Sequence, residues 1–454
     1  MLGYLLLFCP CLSTSSLLPA DSGHVRSTQF HLIEHSNACP CWRSYHIRLF
    51  LGPFAAKIKT DILGSMSGQY KFYEFFSGGG MARLGLGGHW DCVFANDVCA
   101  KKAEAYRKAF GSTSELVVRD IRSIDPRQLP DGAILAWASF PCQDLSLAGK
   151  GRGLAGDRSS TFWPFLDLIL AKKMASEVPL LAIENVVGAI TSNYGRDFAA
   201  ILGALRTGGY RYGALVIDAR YFVPQSRPRL FIVAVGQSVN IPCDLLQDGP
   251  LEPWHKPSLI QACAALPKPV QDGLLWWRLP YPDGKPLRLS EVLQDDPAGV
   301  RWDTPSYTES LLNMMSPANI QKVREAQATG RRMVGTLYRR TRLDKDNGHR
   351  QRAEVRFDQI SGCLRTPAGG SSRQTILIVE GNRIRSRLLS PREAARLMGV
   401  PDAYPLPDNY NDAYQLMGDG VVVPVVSWLN CHILLPLAKS LTREKVLRNG
   451  RKVA

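Results

Sequence analysis

Two side chains of this 454-residue chain could perform covalent chemistry together. Cys142 stands in Ser139-Phe140-Pro141-Cys142-Gln143, directly after the apolar run 133–138, and Glu184 stands in Ile183-Glu184-Asn185-Val186, at the end of a second apolar run. A thiolate is an intrinsically strong nucleophile, and in a parallel sheet the carboxyl would sit beside Cys142. Taken singly, each residue supports a plainer reading. A cysteine after a strand is often a small core residue, and a glutamate there can simply accept a backbone N–H. Gln225-Ser226-Arg227-Pro228-Arg229 adds two arginines on one side of an extended segment, a pattern suited to clamping an anion.

A second group suits a nucleotide-like ligand. Phe75-Phe76-Ser77-Gly78-Gly79-Gly80 puts glycines after a strand, where the backbone can approach a ligand and the next helix offers free N–H groups. A tight strand–helix turn would read the same way. Asn96-Asp97 follows about 20 residues on, where an acidic side chain can hold ribose hydroxyls. Asp120-Ile121 ends a third strand, and its carboxylate could accept from an adenine amino group. One such aspartate is usually a helix cap; the glycine run and two aspartates in this order are harder to dismiss.

These residues need a scaffold that brings strand ends to one edge. Strands are expected at 70–76, 92–95, 116–118, 133–138 and 180–183, with helices at 81–86, 100–110, 161–174 and 197–205. The runs 212–217 and 230–235 read as a closing hairpin pair. Strands alternating with helices imply an α/β fold, a mainly parallel, doubly wound sheet with helices on both faces. From Gln237 to Glu380 this rhythm stops, and Pro, Gly, Arg and Trp become frequent. Lys and Arg far outnumber Asp and Glu from Lys322 to Arg392, a footprint suited to phosphates, although a solvated basic face would look alike. Ser390 with Glu393 forms a capping box around Pro391, and a last apolar helix is expected over 421–437 with Pro424 in its first turn.

In this order the motifs resemble the signature blocks of DNA cytosine-5 methyltransferases. Phe76-Ser77-Gly78-Gly79-Gly80, Phe140-Pro141-Cys142-Gln143, Glu184-Asn185-Val186 and Gln225–Arg229 carry the resemblance, together with Pro391-Arg392-Glu393, Arg396-Leu397-Met398-Gly399, Pro401-Asp402 and Gly418-Asp419-Gly420-Val421. It extends from about Tyr70 to Leu437. The resemblance implies a Rossmann-like S-adenosylmethionine-dependent methyltransferase domain with a smaller, irregular target-recognition domain, acting on double-stranded DNA.

It also implies roles. Cys142 would add to cytosine C6, Glu184 would hold and protonate N3, Arg229 would help hold the base and Arg227 the backbone nearby. The base must leave the stack to be reached. For the cofactor, Phe76 would pack on adenine, Asp97 would take the ribose hydroxyls and Asp120 the adenine amino group. Ser77, Gly78, Gly80, Ile121 and Asp419 complete the expected pocket, with Ser159-Ser160-Thr161 nearby. No metal is implied, and the expected state is a monomer, with a cognate restriction endonuclease left open. Three positions depart from the pattern: Asp97 stands where Glu is commoner, Val98 where an aromatic often covers adenine, and Asp419 where Asn is usual. Cys363-Leu364 stands in the recognition region where Thr-Leu is frequent.

Composition bounds the rest. The formal charge is +15, which favours a polyanionic partner. The 11 cysteines show no disulfide framework, so reduced thiols and a cytoplasmic setting are expected. No apolar run is read as a membrane span. Residues 1–65 carry Cys9, Cys11, Cys39 and Cys41 and four histidines without periodicity; disorder or a start at Met66 is expected there, rather than export or a zinc site. The expected division is 66–236 for catalysis and cofactor, 237–385 for target recognition, 386–440 for helices returning to the first domain, and 441–454 as a basic tail. Three alternatives stay in view: a transfer-RNA methyltransferase on the same scaffold, an inactive DNA-binding homologue, and a Rossmann dehydrogenase. The last gives no reason for Phe140–Gln143 or Gln225–Arg229.

Overall fold

The computed structural model describes residues 69–111, 114–141, 161–175, 178–282, 287–343, 349–365 and 373–443. Cys142, Gln143, Ser159, Ser160, Met66 and the cysteine-rich segment 1–65 lie outside the described residues. Among the described residues, strands form two sheets.

The larger sheet contains β1 (Tyr70–Phe75), β2 (Trp90–Asp97), β3 (Leu116–Val118), β4 (Ala133–Ala138), β5 (Leu180–Val186), β6 (Tyr210–Asp218) and β7 (Pro228–Gly236). Their spatial order is β3-β2-β1-β4-β5-β7-β6. The first five pair in parallel, whereas β7 pairs antiparallel with both β5 and β6. The expected hairpin pair is therefore real, with its second strand inserted between β5 and the first. The strand order reverses between β1 and β4, and such a switch point opens a crevice beyond the strand ends.

Parallel strands covered on both faces should read as continuous apolar runs, and Ala-Ile-Leu-Ala-Trp-Ala of β4 does. The helices α1 (Met81–Leu86), α2 (Ala100–Phe110), α3 (Phe162–Ala175) and α4 (Arg196–Thr207) follow β1, β2, β4 and β5. Two apolar clusters result, one holding Phe72, Tyr106 and Trp137, the other Phe75, Phe165 and Phe198. Each fully buried aromatic of this kind contributes about 1.5–3 kcal/mol. Strand β2 runs two residues further at each end than its apolar core suggests. Its polar end is tolerated because Asn96 Nδ2 donates to the carbonyls of Val117 and Arg119, at 3.0 and 2.9 Å.

The segment without rhythm in the sequence contains a regular sheet. Strands β8 (Arg332–Leu343), β9 (His349–Arg356), β10 (Thr375–Glu380) and β11 (Arg383–Leu388) are all antiparallel, in the order β11-β10-β8-β9. Helices α5 (Pro305–Asn313) and α6 (Pro317–Ala328) cover it, burying Leu311, Val323, Leu337, Val355 and Leu377 in a small core.

The chain then returns through α7 (Pro391–Leu397), α8 (Tyr410–Asp419) and α9 (Val423–Leu429). The capping box forms as expected: Ser390 Oγ accepts from Glu393 N, and Glu393 Oε2 accepts from Ser390 N. Glu393 also pairs with Arg387 at 2.7 Å, with both side chains essentially inaccessible. The reading that no apolar run suits a membrane span needs correction. Helical residues Tyr410–Arg443 are long and apolar enough by composition, but 78% of the apolar window is buried within the protein, against α1 and the sheet. After α9 the helix widens to a π turn at Asn430–Leu434. Asn430 Oδ1 accepts from Trp90 Nε1 at 2.8 Å, and its Nδ2 donates to the Leu86 carbonyl at 2.9 Å.

Candidate active site

Strand order places the functional side chains at one edge. The β4 end leads through Phe140 and Pro141 toward Cys142, and neighbouring β5 carries Glu184. Asn185 Nδ2 donates to the Phe140 carbonyl at 3.2 Å, which ties the chain just after β4 to β5. Glu184 is buried, and its Oε1 lies 3.2 Å from Arg229 Nε on β7. Burial raises the Glu184 pKa; Arg229, Arg227 and a hydrogen bond with Ser139 oppose that rise without cancelling it. Such a carboxyl can hold a proton and present it to a ring nitrogen.

The two arginines of the Gln225–Arg229 motif differ. Arg229 lies against Glu184. Arg227 is buried and reaches elsewhere: its guanidinium donates to the carbonyls of Leu364 at 3.1 Å and of Gly418 and Gly420 at 2.8 Å each. It thus joins the β6–β7 turn to the segment after the second sheet's strand β9 and to the end of α8. Gln225, fully buried, reinforces this joint, donating to the Leu397 carbonyl at 2.8 Å and accepting from Leu364 N at 3.0 Å. Cys363 lies beside both arginines, with its Sγ 3.3 Å from Arg227 Nη1 and 4.0 Å from Arg229 Nη2. Burial disfavours its thiolate, but the two guanidiniums outweigh that and pull its pKa below the usual thiol value.

On the other side of the switch point, Phe76 has φ 57° and Gly78 φ 55°, so the chain turns sharply out of β1. A Cβ at Gly78 would meet nothing within 4 Å, which leaves open space along that backbone. At Gly80 (φ 75°) a Cβ would collide with the Phe110 ring, so glycine is required for packing. Asp97 accepts from Gly78 N at 2.9 Å and Cys99 N at 2.8 Å, and so fixes the glycine loop to the end of β2. Ser77 is buried, and its Oγ has no partner among the described residues. An orphaned hydroxyl beside an open glycine backbone and a carboxylate fits a polar ligand with a ribose and a charged tail.

The remaining expected cofactor residues are spread around this loop. Asp120 is exposed, accepts from Arg122 N and pairs with the Arg122 guanidinium at 3.0 Å; Ile121 beside it is buried. Asp419 pairs with Lys102 at 2.7 Å. Val98 is 70% exposed and covers little.

Sequence reasoning missed three contributors. Tyr404 donates its hydroxyl to the Gly79 carbonyl at 2.7 Å from the far end of the chain. Glu74, on β1, accepts from Arg83 N at 3.2 Å in the first turn of α1. Burial pushes its pKa up to about 8; Arg83 and the Ala82 N–H oppose this, and Asp97 adds to it. Lys102 is the third. Only Glu74 had a local signal, as one acidic residue inside an aromatic strand.

A mainly parallel sheet with a glycine-rich turn after β1 and a buried carboxyl group on β5, on either side of its switch point, is a Rossmann-like architecture. The C-5 cytosine-specific DNA methylase family matches residues 70–433, and the chain belongs to that family. It is an S-adenosylmethionine-dependent DNA (cytosine-5-)-methyltransferase. Similar proteins include the Type II methyltransferase M.NgoBI of Neisseria gonorrhoeae, 29% identical over 374 residues, covering 81% of this chain and 95% of the relative. The Type II methyltransferase M.NlaX of Neisseria lactamica is 26% identical over 362 residues, covering 79% and 94%. The fold is shared with the Entamoeba histolytica methyltransferase EhMeth, at TM-score 0.53 and 15% identity, over 82% of this chain and 99% of that one.

Proposed function

We propose that the protein methylates C5 of a cytosine within a specific sequence of double-stranded DNA through a covalent adduct between Cys142 and C6 of a flipped-out base. The observation that carries this reading is the buried Glu184–Arg229 pair beside the strand that leads to Cys142. C6 is a poor electrophile in neutral cytosine. Glu184, which keeps its proton to a raised pH, donates to N3 and draws electrons from the ring. Arg229 orients that carboxyl and the base edge. Cys142 then forms the S–C6 bond, and the former C5–C6 π pair becomes nucleophilic at C5. S-adenosylmethionine, when bound, supplies the methyl group that C5 receives. A base, water in this reading, takes the C5 proton; its bond pair restores C5=C6, and Cys142 leaves with its electrons.

Phe76, Ser77, Gly78, Gly80, Asp97, Asp120, Ile121 and Asp419 are the residues proposed to hold the cofactor, in keeping with the open backbone at Gly78 and the unpartnered Ser77 hydroxyl. Extruding the base costs on the order of a few kcal/mol, which contacts elsewhere must offset. Exposed Arg339 and Arg350 on the β8–β9 pair are suited to phosphates.

Duplex DNA carrying 5-fluorocytosine tests the reading, because fluorine at C5 blocks the final proton loss. A covalent protein–DNA species that maps to Cys142 is expected, and is absent in Cys142→Ser. Turnover by Cys142→Ser, or methyl transfer to transfer RNA but not to duplex DNA, would overturn the proposal. Bisulfite sequencing of DNA from cells expressing the protein then gives the target sequence.

A further inference from the structure

Lys102 is a cation in an unusual place. It lies in the first turn of α2, where the exposed N–H groups already make the potential positive, so helix electrostatics do not favour it there. Its neighbour Lys101 is 72% exposed and pairs with Asp412 at the surface, as a solvated lysine does. Lys102 is drawn inward instead, to 21% exposure, with its Nζ 2.7 Å from Asp419 Oδ2.

The surroundings define what it faces. Asp419 and Asp97 both favour its charged form, after burial, which opposes it. The Asp97 carboxylate is bonded to Gly78 N in the glycine loop. Gly420, next to Asp419, packs so closely on Met81, the residue after that loop, that a Cβ would collide with its sulfur. The ammonium therefore sits where the glycine loop, the end of β2 and the turn after α8 meet. The hydroxyl of Ser77, without a partner among the described residues, belongs to the same loop. An ammonium has three donors, and Asp419 takes one.

We infer that Lys102 binds the α-carboxylate of the cofactor's methionine end, while Asp419 orients Lys102 and receives the α-ammonium. The inference rests on the cofactor placement proposed above. The carboxylate is the one anionic group of S-adenosylmethionine, and a lysine–aspartate pair is the charge complement of an amino-acid zwitterion. Without Lys102, that carboxylate would join Asp97 and Asp419 as a third negative group in a half-buried space. The same pairing accounts for an aspartate at 419, where an asparagine would carry no charge to balance.

Calorimetric titration of the full-length protein with S-adenosylmethionine and with its decarboxylated form isolates the one group in question. The wild type is expected to prefer the carboxylated ligand by about tenfold or more, as one charge-assisted hydrogen bond allows. Lys102→Ala should bring the two affinities to within about twofold by weakening only the carboxylated ligand. Lys102→Arg should keep the preference. If Lys102→Ala weakens both ligands equally, or leaves the ratio unchanged, the pair is only a rivet between α2 and α8 and the inference is overturned. Where the alanine variant does not fold, Lys102→Gln serves in its place, and a preference equal to the wild type's overturns the inference as well. Binding of neither ligand by the wild type would instead overturn the cofactor placement itself.

Discussion

The two sheets handle charge in opposite ways. At the edge of the seven-stranded sheet, charged groups are few, buried and individually assigned: Glu74 to the start of α1, Asp97 to two backbone N–H groups, Glu184 to Arg229, Arg227 to three carbonyls. In the four-stranded sheet they are many, and those on β8 and β9 include Arg339 and Arg350 facing solvent. Buried charge is expensive and tolerates one geometry, so it suits bond-making. Exposed charge is individually weak and collectively long-ranged, so it suits holding a polyanion without fixing each contact. Substitutions in the two regions should therefore differ in kind.

The largest effect is expected at Glu184. Glu184→Gln should lower kcat by about 100-fold to 10,000-fold, the range for losing a general acid, with cofactor affinity unchanged in equilibrium titration. A smaller loss than tenfold would remove the proton-donor role. Arg227→Ala should come next, as a stability effect. Carbonyls of Leu364, Gly418 and Gly420 lose their donor, and the denaturant midpoint should fall by the equivalent of about 3 kcal/mol. A midpoint like the wild type's would mean that this joint holds little.

The exposed arginines should respond differently. Arg339→Gln with Arg350→Gln should leave the denaturant midpoint within about 0.5 kcal/mol. The slope of log affinity for duplex DNA against log salt should become shallower by about one per lost phosphate contact. An unchanged slope would end the contrast between the sheets.

A pH-dependent effect concerns Glu74. Its pKa is about 8 in the fold against 4.5 unperturbed, so between these values the native state holds a proton that the unfolded state has released. Stability from this group is complete below the lower value and declines as pH rises through the higher one. Glu74→Gln should flatten that decline, read as urea midpoints from pH 5 to 9. A decline equal to the wild type's would place the titration elsewhere.

What the sequence made legible follows from how local each signal is. Strands β1, β3 and β4 and helices α1 and α2 could be read to within a residue, because buried parallel strands and amphipathic helices announce themselves in short windows. The four-stranded sheet could not. Consecutive Arg339 and Arg340 break the alternation of β8, and β9 has only Ala353 and Val355 as buried apolar positions. Its register comes from a partner strand and from α5 and α6, not from its own residues. The motifs around Glu184 and the glycine loop were visible as residue types. The function of Arg227 was not, since its acceptors lie 137, 191 and 193 positions away. The pairing of Lys102 with Asp419 escaped for the same reason.

That separation has a consequence for how the protein comes into being. The loop at Gly79 is braced by Tyr404, 325 positions later, and the end of β2's first residue, Trp90, by Asn430, 340 positions later. During synthesis the glycine turn and the start of β2 stay without these braces until nearly the whole polypeptide has emerged, so a premature stop before the final helices should leave this edge of the sheet unsupported while most of the sheet is already encoded. Conversely, a fragment carrying only those helices, supplied separately, is the natural candidate for reconstituting it.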